Sequence, residues 1–545
     1  MMKTKYFISS ILSVLMCISS FAQSNKGVEA FLLGDYSVAK QVFEQSKSDL
    51  PDLSNYYLGE IALEEGDKTK ALEFYQSGLD SDADAVFCLI GKSKLVYSSD
   101  ELVKELKDFQ KKYKKNVEVL VQIAKAYSDA NLPEVALKTL AAAESVGKTP
   151  SLAYLMEGDI LQSQGKSGAA AGQYEQAYTF DPTCVVAYIK HALLYENTNS
   201  TTSIATLKSG LEANPENKLI KRYIGDIYYR HGFYQEAITS YEESFEGEVK
   251  SVDLLRNYAA SFYFTQQYDK ALTEIQKALL IEPDNRVLNR LLMYIYEKQD
   301  DLEKALVASQ KLFTTGAADD SKSSLLATDY IVYGDILSGV GDFDQALLQY
   351  DKAVELDPDK VSVFKDIAVQ LSDKEEYSKA GEMYSRYIDR AGIVENADYL
   401  LLGIAYYQAA VKASKSEDEV KKAEMPNYIT QSEAAFTKFI DLLPDSYQGY
   451  YWRANTKTLL DPDLSQGLAN SDYEKMIEVI LNSDSEVNKN KLVEGYRYLS
   501  IYHLYQFDAK KKVEDKEIAK KYAEQVLELN ASDATAIKIL EVVAN

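Results

Sequence analysis

Apolar and small residues recur along this chain at the spacing of three and four that marks one face of a helix. Residues 327–360 show the pattern clearly, and their two faces are Tyr330, Gly334 and Leu337, then Ala346, Tyr350 and Ala353. Gly341-Asp342 separates the faces, because a glycine can end one helix and an aspartate can cap the next. Asp357-Pro358 ends the second face, since proline cannot continue a helix. The pattern predicts a hairpin of two helices.

The same arrangement returns about every 34 residues when the chain is aligned on Gly334. The Gly334 position holds a small residue in most segments: Gly27, Gly59, Gly91, Ala124, Gly158, Gly225, Ala259, Ala368 and Gly403. The Tyr350 position holds an aromatic ring in many of them: Phe43, Tyr75, Tyr174, Tyr241 and Tyr384. Two segments depart from this, because 84–116 lacks the alanines and 184–217 carries His191 instead of glycine. The recurrence predicts an all-α repeat array.

This pattern resembles the tetratricopeptide repeat, whose positions are a bulky residue, Leu-Gly, Tyr, then Ala, an aromatic residue, Ala and Pro. The matching residues of the segment 327–360 are Tyr330, Tyr333-Gly334, Leu337, Ala346, Tyr350, Ala353 and Pro358. The resemblance implies an all-α right-handed solenoid, a superhelix of about 14 such hairpins in which each repeat contacts only its neighbours.

The repeat spacing changes at three places, and these define the expected domains. The small and acidic run 314–324 lengthens one interval, so we predict an N-terminal array over 23–316 and a C-terminal array over 317–545. A charged insertion near 411–427, either a helix extension or a loop, delays a second helix that we expect to begin at Ser432. The last helix, 533–543, is expected to cap the array with Ile537, Leu540 and Val543.

Residues 1–22 predict a secretory signal peptide. Lys3 and Lys5 precede an apolar run, and Ser20-Phe21-Ala22 provides small residues for cleavage after Ala22. Met16 before Cys17 does not fit a lipid-attachment motif. No later stretch approaches the roughly 20 apolar residues that a membrane helix needs. We therefore expect an exported, periplasmic protein without a membrane span, either free or held peripherally at the outer membrane.

The net charge argues against one class of function, and the cysteine positions argue against a disulfide. The formal net charge is −24 and acidic residues are spread along the chain, which argues against general nucleic-acid binding. Cys88 and Cys184 lie about three repeats apart, so we expect buried free thiols and no disulfide between them.

The sequence contains no convincing catalytic, cofactor or metal motif. Three Gly-Lys-Ser or Gly-Lys-Thr sequences match only the end of a phosphate-binding loop, because Val86, Ala142 and Ile160 stand where its first glycine belongs. The three histidines are scattered, and neither HExxH nor CxxC occurs. We therefore expect no enzyme activity, no cofactor and no metal.

One surface feature points to a partner. Arg222, Arg256 and Arg290 are spaced by one repeat length, and so are Tyr195, Tyr229 and Tyr263. Tyr229 follows Arg222 and Tyr263 follows Arg256 by about seven residues, which is one helix face. The resemblance implies that this stripe of the first helices lines a concave groove where peptides lie. The predicted partner-binding groove is Tyr195, Arg222, Tyr229, Arg256, Tyr263, Arg290 and Tyr294.

One alternative to a binding groove stays open, and one binding feature of the family is missing. Asp226 follows Arg222 by four residues and could simply pair with it, so that the arginines are only a solvated face. The asparagines that form a carboxylate clamp in the family are replaced by Asp226, Ala260 and Tyr294, so the sequence does not support that clamp.

The residues and the resemblance together predict a non-catalytic periplasmic scaffold or adaptor. Exported proteins that resemble it in Gram-negative bacteria serve in assembly, secretion or uptake complexes. The resemblance therefore implies that it binds a protein or peptide of the cell envelope along its groove, for example within an outer-membrane complex. The alternative is a soluble envelope glycan-binding protein that uses its tyrosines as stacking platforms. The partner's identity and the oligomeric state are left open.

Overall fold

The computed structural model describes residues 25–146, 151–245, 249, 251–314, 325–483 and 488–544. The predicted signal peptide, with Cys17, and most of the predicted boundary at 314–324 lie outside the described residues. Within these ranges every long element is an α-helix and no strand occurs. The chain divides into two compact units, Met1–Gly316 and Ala317–Asn545.

The first unit contains nine helix hairpins within its described residues. Its helices are α1 (25–32), α2 (Tyr36–Ser46), α3 (Pro51–Glu64), α4 (Lys68–Ser81), α5 (Val86–Val96), α6 (Ser99–Lys112), α7 (Val117–Asp129), α8 (Pro133–Glu144), α9 (Ser151–Ser163), α10 (Ser167–Phe180), α11 (Val185–Tyr195), α12 (Ser200–Ala213), α13 (Lys218–Arg230), α14 (Tyr234–Ser244), α15 (Val252–Phe264), α16 (Tyr268–Ile281), α17 (Arg286–Lys298) and α18 (Leu302–Thr314). They pair in chain order, so the first hairpin is α1–α2 and the ninth is α17–α18.

The second unit contains five hairpins and a final single helix. Its helices are α19 (Ala327–Gly339), α20 (Phe343–Leu356), α21 (Ser362–Asp373), α22 (Tyr377–Arg390), α23 (Asn396–Ser414), α24 (Glu419–Ala423), α25 (Met425–Leu442), α26 (Tyr447–Thr458), α27 (Asn470–Leu481), α28 (Lys489–Lys510), α29 (Val513–Leu529) and α30 (Ala534–Ala544). The long helices α23 and α25 pair across the short α24. The predicted all-α fold of about 14 hairpins is thus confirmed.

Glycine and tyrosine pack against each other across four of the described hairpins. A Cβ atom added at Gly334 would lie 2.7 Å from Cδ1 of the buried Tyr350, so only glycine leaves room for the ring. The tyrosine hydroxyl then donates to the carboxylate that follows the glycine. These bonds are Tyr75 to Glu60 (2.6 Å), Tyr174 to Asp159 (2.8 Å), Tyr241 to Asp226 (2.8 Å) and Tyr350 to Asp335 (2.9 Å).

The same position holds phenylalanine where no carboxylate is present. Gly27 is followed by Val28 and faces the ring of Phe43, and Gly403 faces the ring of Phe436. A buried hydroxyl needs a hydrogen-bond acceptor, which explains why tyrosine faces the glycine in the four hairpins with an acidic neighbour and phenylalanine does so in these two.

The second helix of the hairpin with the insertion begins earlier than predicted. Helix α23 continues to Ser414, α24 covers Glu419–Ala423, and α25 begins at Met425, before the predicted Ser432, so much of the insertion near 411–427 is helical.

Helix α27 begins at Asn470, and a turn precedes it. The reason is that the buried Asp461 carboxylate accepts hydrogen bonds from the backbone N–H groups of residues 466 and 467, at 3.0 and 2.7 Å, and holds this segment in a turn.

The capping helix α30 buries part of the predicted face. Val543 is buried and Leu540 packs against the same core, as predicted, whereas Ile537 is 41% exposed and Ala536 and Ile539 are buried instead. Within the described ranges, no helix is both long and apolar enough to cross a bilayer.

Candidate partner-binding groove

The seven predicted groove residues lie on first helices of four successive hairpins in the first unit. Tyr195 ends α11, whereas the others occupy α13, α15 and α17 in pairs of one arginine and one tyrosine. All seven are partly exposed. The repeat spacing therefore brings these side chains onto adjacent helices, as the sequence predicts.

Aromatic rings form a continuous series across these hairpins. The series consists of Tyr229, Tyr234, Phe264, Tyr263 and Tyr294. The ring centroids are 6.0 Å apart for Tyr229–Tyr234, 4.3 Å for Tyr234–Phe264, 5.3 Å for Phe264–Tyr263 and 6.3 Å for Tyr263–Tyr294. Phe264 is 50% exposed, so this series presents large apolar area to solvent.

Tyr234 and Phe264 were not among the predicted residues. Phe264 directly follows Tyr263 at the end of α15 and Tyr234 begins α14, so the sequence shows both only as aromatic residues at helix ends. The structure adds them because the two rings stack at an interplanar angle of 15° and join the tyrosines of neighbouring hairpins.

Tyr195 belongs to a separate ring group. Its ring meets His191 edge-on at 5.4 Å, and His191 stacks on Tyr178 at 5.7 Å. His191 Nδ1 lies 3.0 Å from the Tyr178 hydroxyl. Burial lowers the pKa of His191, so this histidine serves as a neutral packing residue.

Arg256 lies at the surface, where a ligand could replace its hydrogen-bond partners. Its Nη1 donates to Asp253 at 2.6 Å, and its Nε and Nη2 donate to the Asn257 side-chain oxygen at 3.2 and 3.0 Å. The Asp253 side chain is 70% exposed, and an exposed pair of this kind contributes at most about 1 kcal/mol. An acidic ligand could therefore replace Asp253 at small cost.

Arg222 differs from the expectation that all three arginines face solvent. Its Nη1 donates to Asp35 at 3.1 Å, and its Nε lies 3.8 Å from Asp226, as the four-residue spacing suggested. Burial alone would lower the pKa of Arg222, but Asp226 and Asp35 raise it. Arg222 is thus part of an internal ion-pair network.

The contact with Asp35 brings the first hairpin onto hairpins that are distant in sequence. Asp35 lies in the turn between α1 and α2, and 187 residues separate it from Arg222. Leu33 beside it packs against the cores formed by α9 to α13. A cavity of about 600 Å³ remains between this turn and the residues Arg222, Tyr223 and Leu254. The first hairpin therefore covers the Arg222 end of the predicted groove.

The two cysteines among the described residues pack in apolar surroundings. Burial raises the pKa of the Cys88 thiol to about 12 and that of Cys184 to about 11, so neither is a ready nucleophile. Both are free; Cys88 is fully buried, whereas Cys184 is only partly buried. The described residues include no group of three or more His, Cys, Asp or Glu side chains that could hold a metal ion.

Sequence comparison identifies the repeats. Family models described as tetratricopeptide repeat match residues 25–86, 193–247 and 330–360. The chain is a tetratricopeptide-repeat protein. No curated protein matches its sequence.

Several solved structures are similar to parts of this tetratricopeptide-repeat protein. The C-terminal part of a TPR repeat-containing protein from Cytophaga hutchinsonii is 23% identical, over 59% of this chain and 99% of that chain, with a TM-score of 0.30. A tetratricopeptide repeat protein from Parabacteroides merdae is 20% identical, over 46% of this chain and 96% of that one, with a TM-score of 0.32. YrrB, a TPR protein with an unusual peptide-binding site, is 17% identical, over 34% and 95%, with a TM-score of 0.27. These values are too low to support an argument about function.

Asp226, which stands at one of the clamp positions, has a structural role in this tetratricopeptide-repeat protein. Asp226 accepts hydrogen bonds from the Tyr241 hydroxyl at 2.8 Å and from the Asn257 side chain at 3.2 Å. It therefore joins two neighbouring hairpins within the buried core. A ligand carboxylate is expected on the arginines of the face, and not at the position of Asp226.

Proposed function

We propose that this tetratricopeptide-repeat protein is a non-catalytic scaffold that binds an extended segment of a partner protein across its seventh to ninth hairpins. The supporting observation is the series of five aromatic rings from Tyr229 to Tyr294 on the surface of α13 to α17. Tyrosine and phenylalanine supply large contact areas at low entropic cost, and such residues dominate the energetics of interfaces.

The partner segment should carry acidic and aromatic or aliphatic side chains. Arg256 presents a guanidinium whose present partner, Asp253, is itself exposed. Guanidinium groups bind carboxylates through two parallel hydrogen bonds, and the neighbouring rings offer apolar contact beside them. The chain has a net charge of −24, so an acidic ligand needs such a local guanidinium to offset the overall repulsion.

We propose an envelope location for this interaction. The predicted signal peptide over residues 1–22 supports export to the periplasm, where the scaffold would serve an assembly, secretion or uptake complex. The mature chain should begin near Gln23 and fractionate with soluble periplasmic proteins. An intact residue 1 or an acyl group on Cys17, found by N-terminal sequencing and mass spectrometry, would contradict this.

The binding surface can be tested with a matched pair of substitutions. Phe264 and Phe180 are both 50% exposed in the first unit, and each stacks on a tyrosine at an interplanar angle of 15°. Only Phe264 belongs to the ring series. Crosslinking in intact cells should recover the same partner with the wild-type chain and Phe180→Ser, and lose it with Phe264→Ser. Equal recovery with both variants would refute the proposed surface.

Glycan binding is the second candidate, because stacked exposed rings such as Tyr234 and Phe264 also suit sugar faces. A glycan array separates the two. Binding to an envelope glycan that is lost in Phe264→Ser, without any crosslinked protein, would favour the glycan.

A further inference from the structure

Asp35 has two roles, and each of its two carboxylate oxygens serves one of them. Oδ1 accepts from the backbone N–H of Val38 at 3.3 Å and so caps α2, whereas Oδ2 pairs with Arg222 at 3.1 Å. Capping is a local property of the first hairpin. The pair with Arg222 is a long-range contact, and the cap can persist without it.

The apolar part of this contact is incomplete. Leu33 packs on residues of α11 and α13, yet a cavity of about 600 Å³ remains beside it. This cavity is open to solvent, so the first hairpin covers the apolar surface beside Leu33 only in part.

Separate contacts hold the first hairpin to the second one. The Tyr57 ring of α3 lies 5.1 Å from Phe31 and stacks on Phe43 at 4.7 Å. These rings belong to a core cluster that includes residues of the first three hairpins. The contact at Arg222 can thus open without loss of the packing between the first two hairpins.

We infer that the tip of the first hairpin is a reversible, in-chain occupant of the Arg222 end of the partner-binding surface. A partner segment with an aliphatic residue two positions before a carboxylate, the arrangement of Leu33 and Asp35, takes its place. The partner's chemistry rests on the proposed function, whereas the opening of the contact does not.

The chain contains its own reporter of this opening. Cys184 packs on the same core as Leu32 and Leu33, and the charge of Glu29 in α1 is close enough to raise the pKa of its thiol. Lifting the first hairpin should therefore expose Cys184 and favour its thiolate. Cys88 is fully buried in a core of the first three hairpins and reports general unfolding instead.

Site-resolved maleimide labelling of the full chain, followed by mass spectrometry, measures both thiols at once. Asp35→Asn keeps a capping oxygen but removes the charge. It should raise the Cys184 labelling rate about two- to fivefold, the range expected for loss of one partly exposed ion pair. Arg222→Gln should do the same, and the double variant should add nothing further, because both changes remove one contact.

The matched control is Asp67→Asn. Asp67 caps α4 through the backbone N–H of Lys70 at 2.9 Å, as Asp35 caps α2, and it should leave Cys184 unchanged. An unchanged Cys184 rate in Asp35→Asn would overturn the inference. A parallel rise of Cys88 would also overturn it, because the first hairpin would then be an integral part of the fold.

A peptide of residues 30–37, Ala-Phe-Leu-Leu-Gly-Asp-Tyr-Ser, tests the partner's chemistry. At millimolar concentration it should slow Cys184 labelling in Asp35→Asn, and the peptide with asparagine for aspartate should not. If neither peptide protects Cys184, this surface does not take such a segment. The partner crosslinked through Phe264 would still support the proposed function.

Discussion

Gly158 in α9 provides the sharpest test of the packing between paired helices. A Cβ atom added there would lie 2.6 Å from Cδ1 of Tyr174, whose ring is fully buried. The Tyr174 hydroxyl donates its proton to Asp159 at 2.8 Å and lies 2.7 Å from the Gln162 side-chain oxygen. The ring therefore cannot move aside without breaking the hydrogen bond to Asp159, and Gly158→Ala should destabilise the fifth hairpin.

The size of the effect follows from three contributions. Overpacking a filled site costs about 1–3 kcal/mol. Loss of the hydroxyl's hydrogen bond costs about 1 kcal/mol more. Alanine in place of glycine inside a helix stabilises that helix by about 1 kcal/mol. The free energy of unfolding should thus fall by about 1–3 kcal/mol.

The same hairpin contains the control. A Cβ atom at Gly172 of α10 would meet no atom within 4 Å, and Gly172 is exposed. Gly172→Ala should therefore raise the free energy of unfolding by about 0.5–1 kcal/mol through helix propensity alone. Urea unfolding and amide hydrogen exchange in α9 and α10 measure both variants. Equal stability of the two variants would refute the packing argument.

Two further predictions concern pH and the last helix. Burial and the neighbouring Glu157 raise the pKa of Glu144 to about 7. The folded chain then holds a proton that the unfolded chain releases, so stability should fall as pH rises from about 4.5 to about 7. Glu144→Gln should remove this part of the pH dependence in thermal unfolding, and an unaltered profile would contradict it. In α30, Ile539 is 4% exposed and Ile537 is 41% exposed. Ile539→Ala should cost about 2–4 kcal/mol and Ile537→Ala under about 1 kcal/mol, and equal melting temperatures would show that α30 is not a cap.

Local features of the sequence predicted the hairpins because their causes are local. Gly341 adopts a positive φ of +93°, and the Asp342 side chain accepts from the backbone N–H of Gln345 at 3.2 Å. Both features are visible as Gly-Asp in the sequence. Repetition of such signals fixed the number of hairpins even where single positions, such as His191, departed from the pattern.

The contacts of the candidate groove depend on residues that the repeat pattern does not relate. Arg222 and Arg256 occupy equivalent positions, yet one binds Asp35 of the first hairpin and the other binds Asp253 of its own helix. Periodicity predicts where a side chain emerges from its helix. It cannot predict a partner that lies 187 residues away and belongs to a different hairpin.

The arrangement of charges explains why the contact at Arg222 can be reversible whereas others cannot. Lys94 binds the buried carboxylate of Glu60 at 2.6 Å, and these side chains are only 8% and 2% exposed, so separating them would leave charges in the interior away from water. Arg222 instead has Asp35 at 3.1 Å and Asp226 of its own helix at 3.8 Å. If Asp35 leaves, Asp226 still neutralises the guanidinium, and Asp35 keeps its capping bond to Val38. Opening therefore strands no buried charge on either side. An acidic segment that binds Arg222 then replaces one carboxylate by another. Its affinity is therefore set by the apolar contacts that it makes where Leu33 had packed.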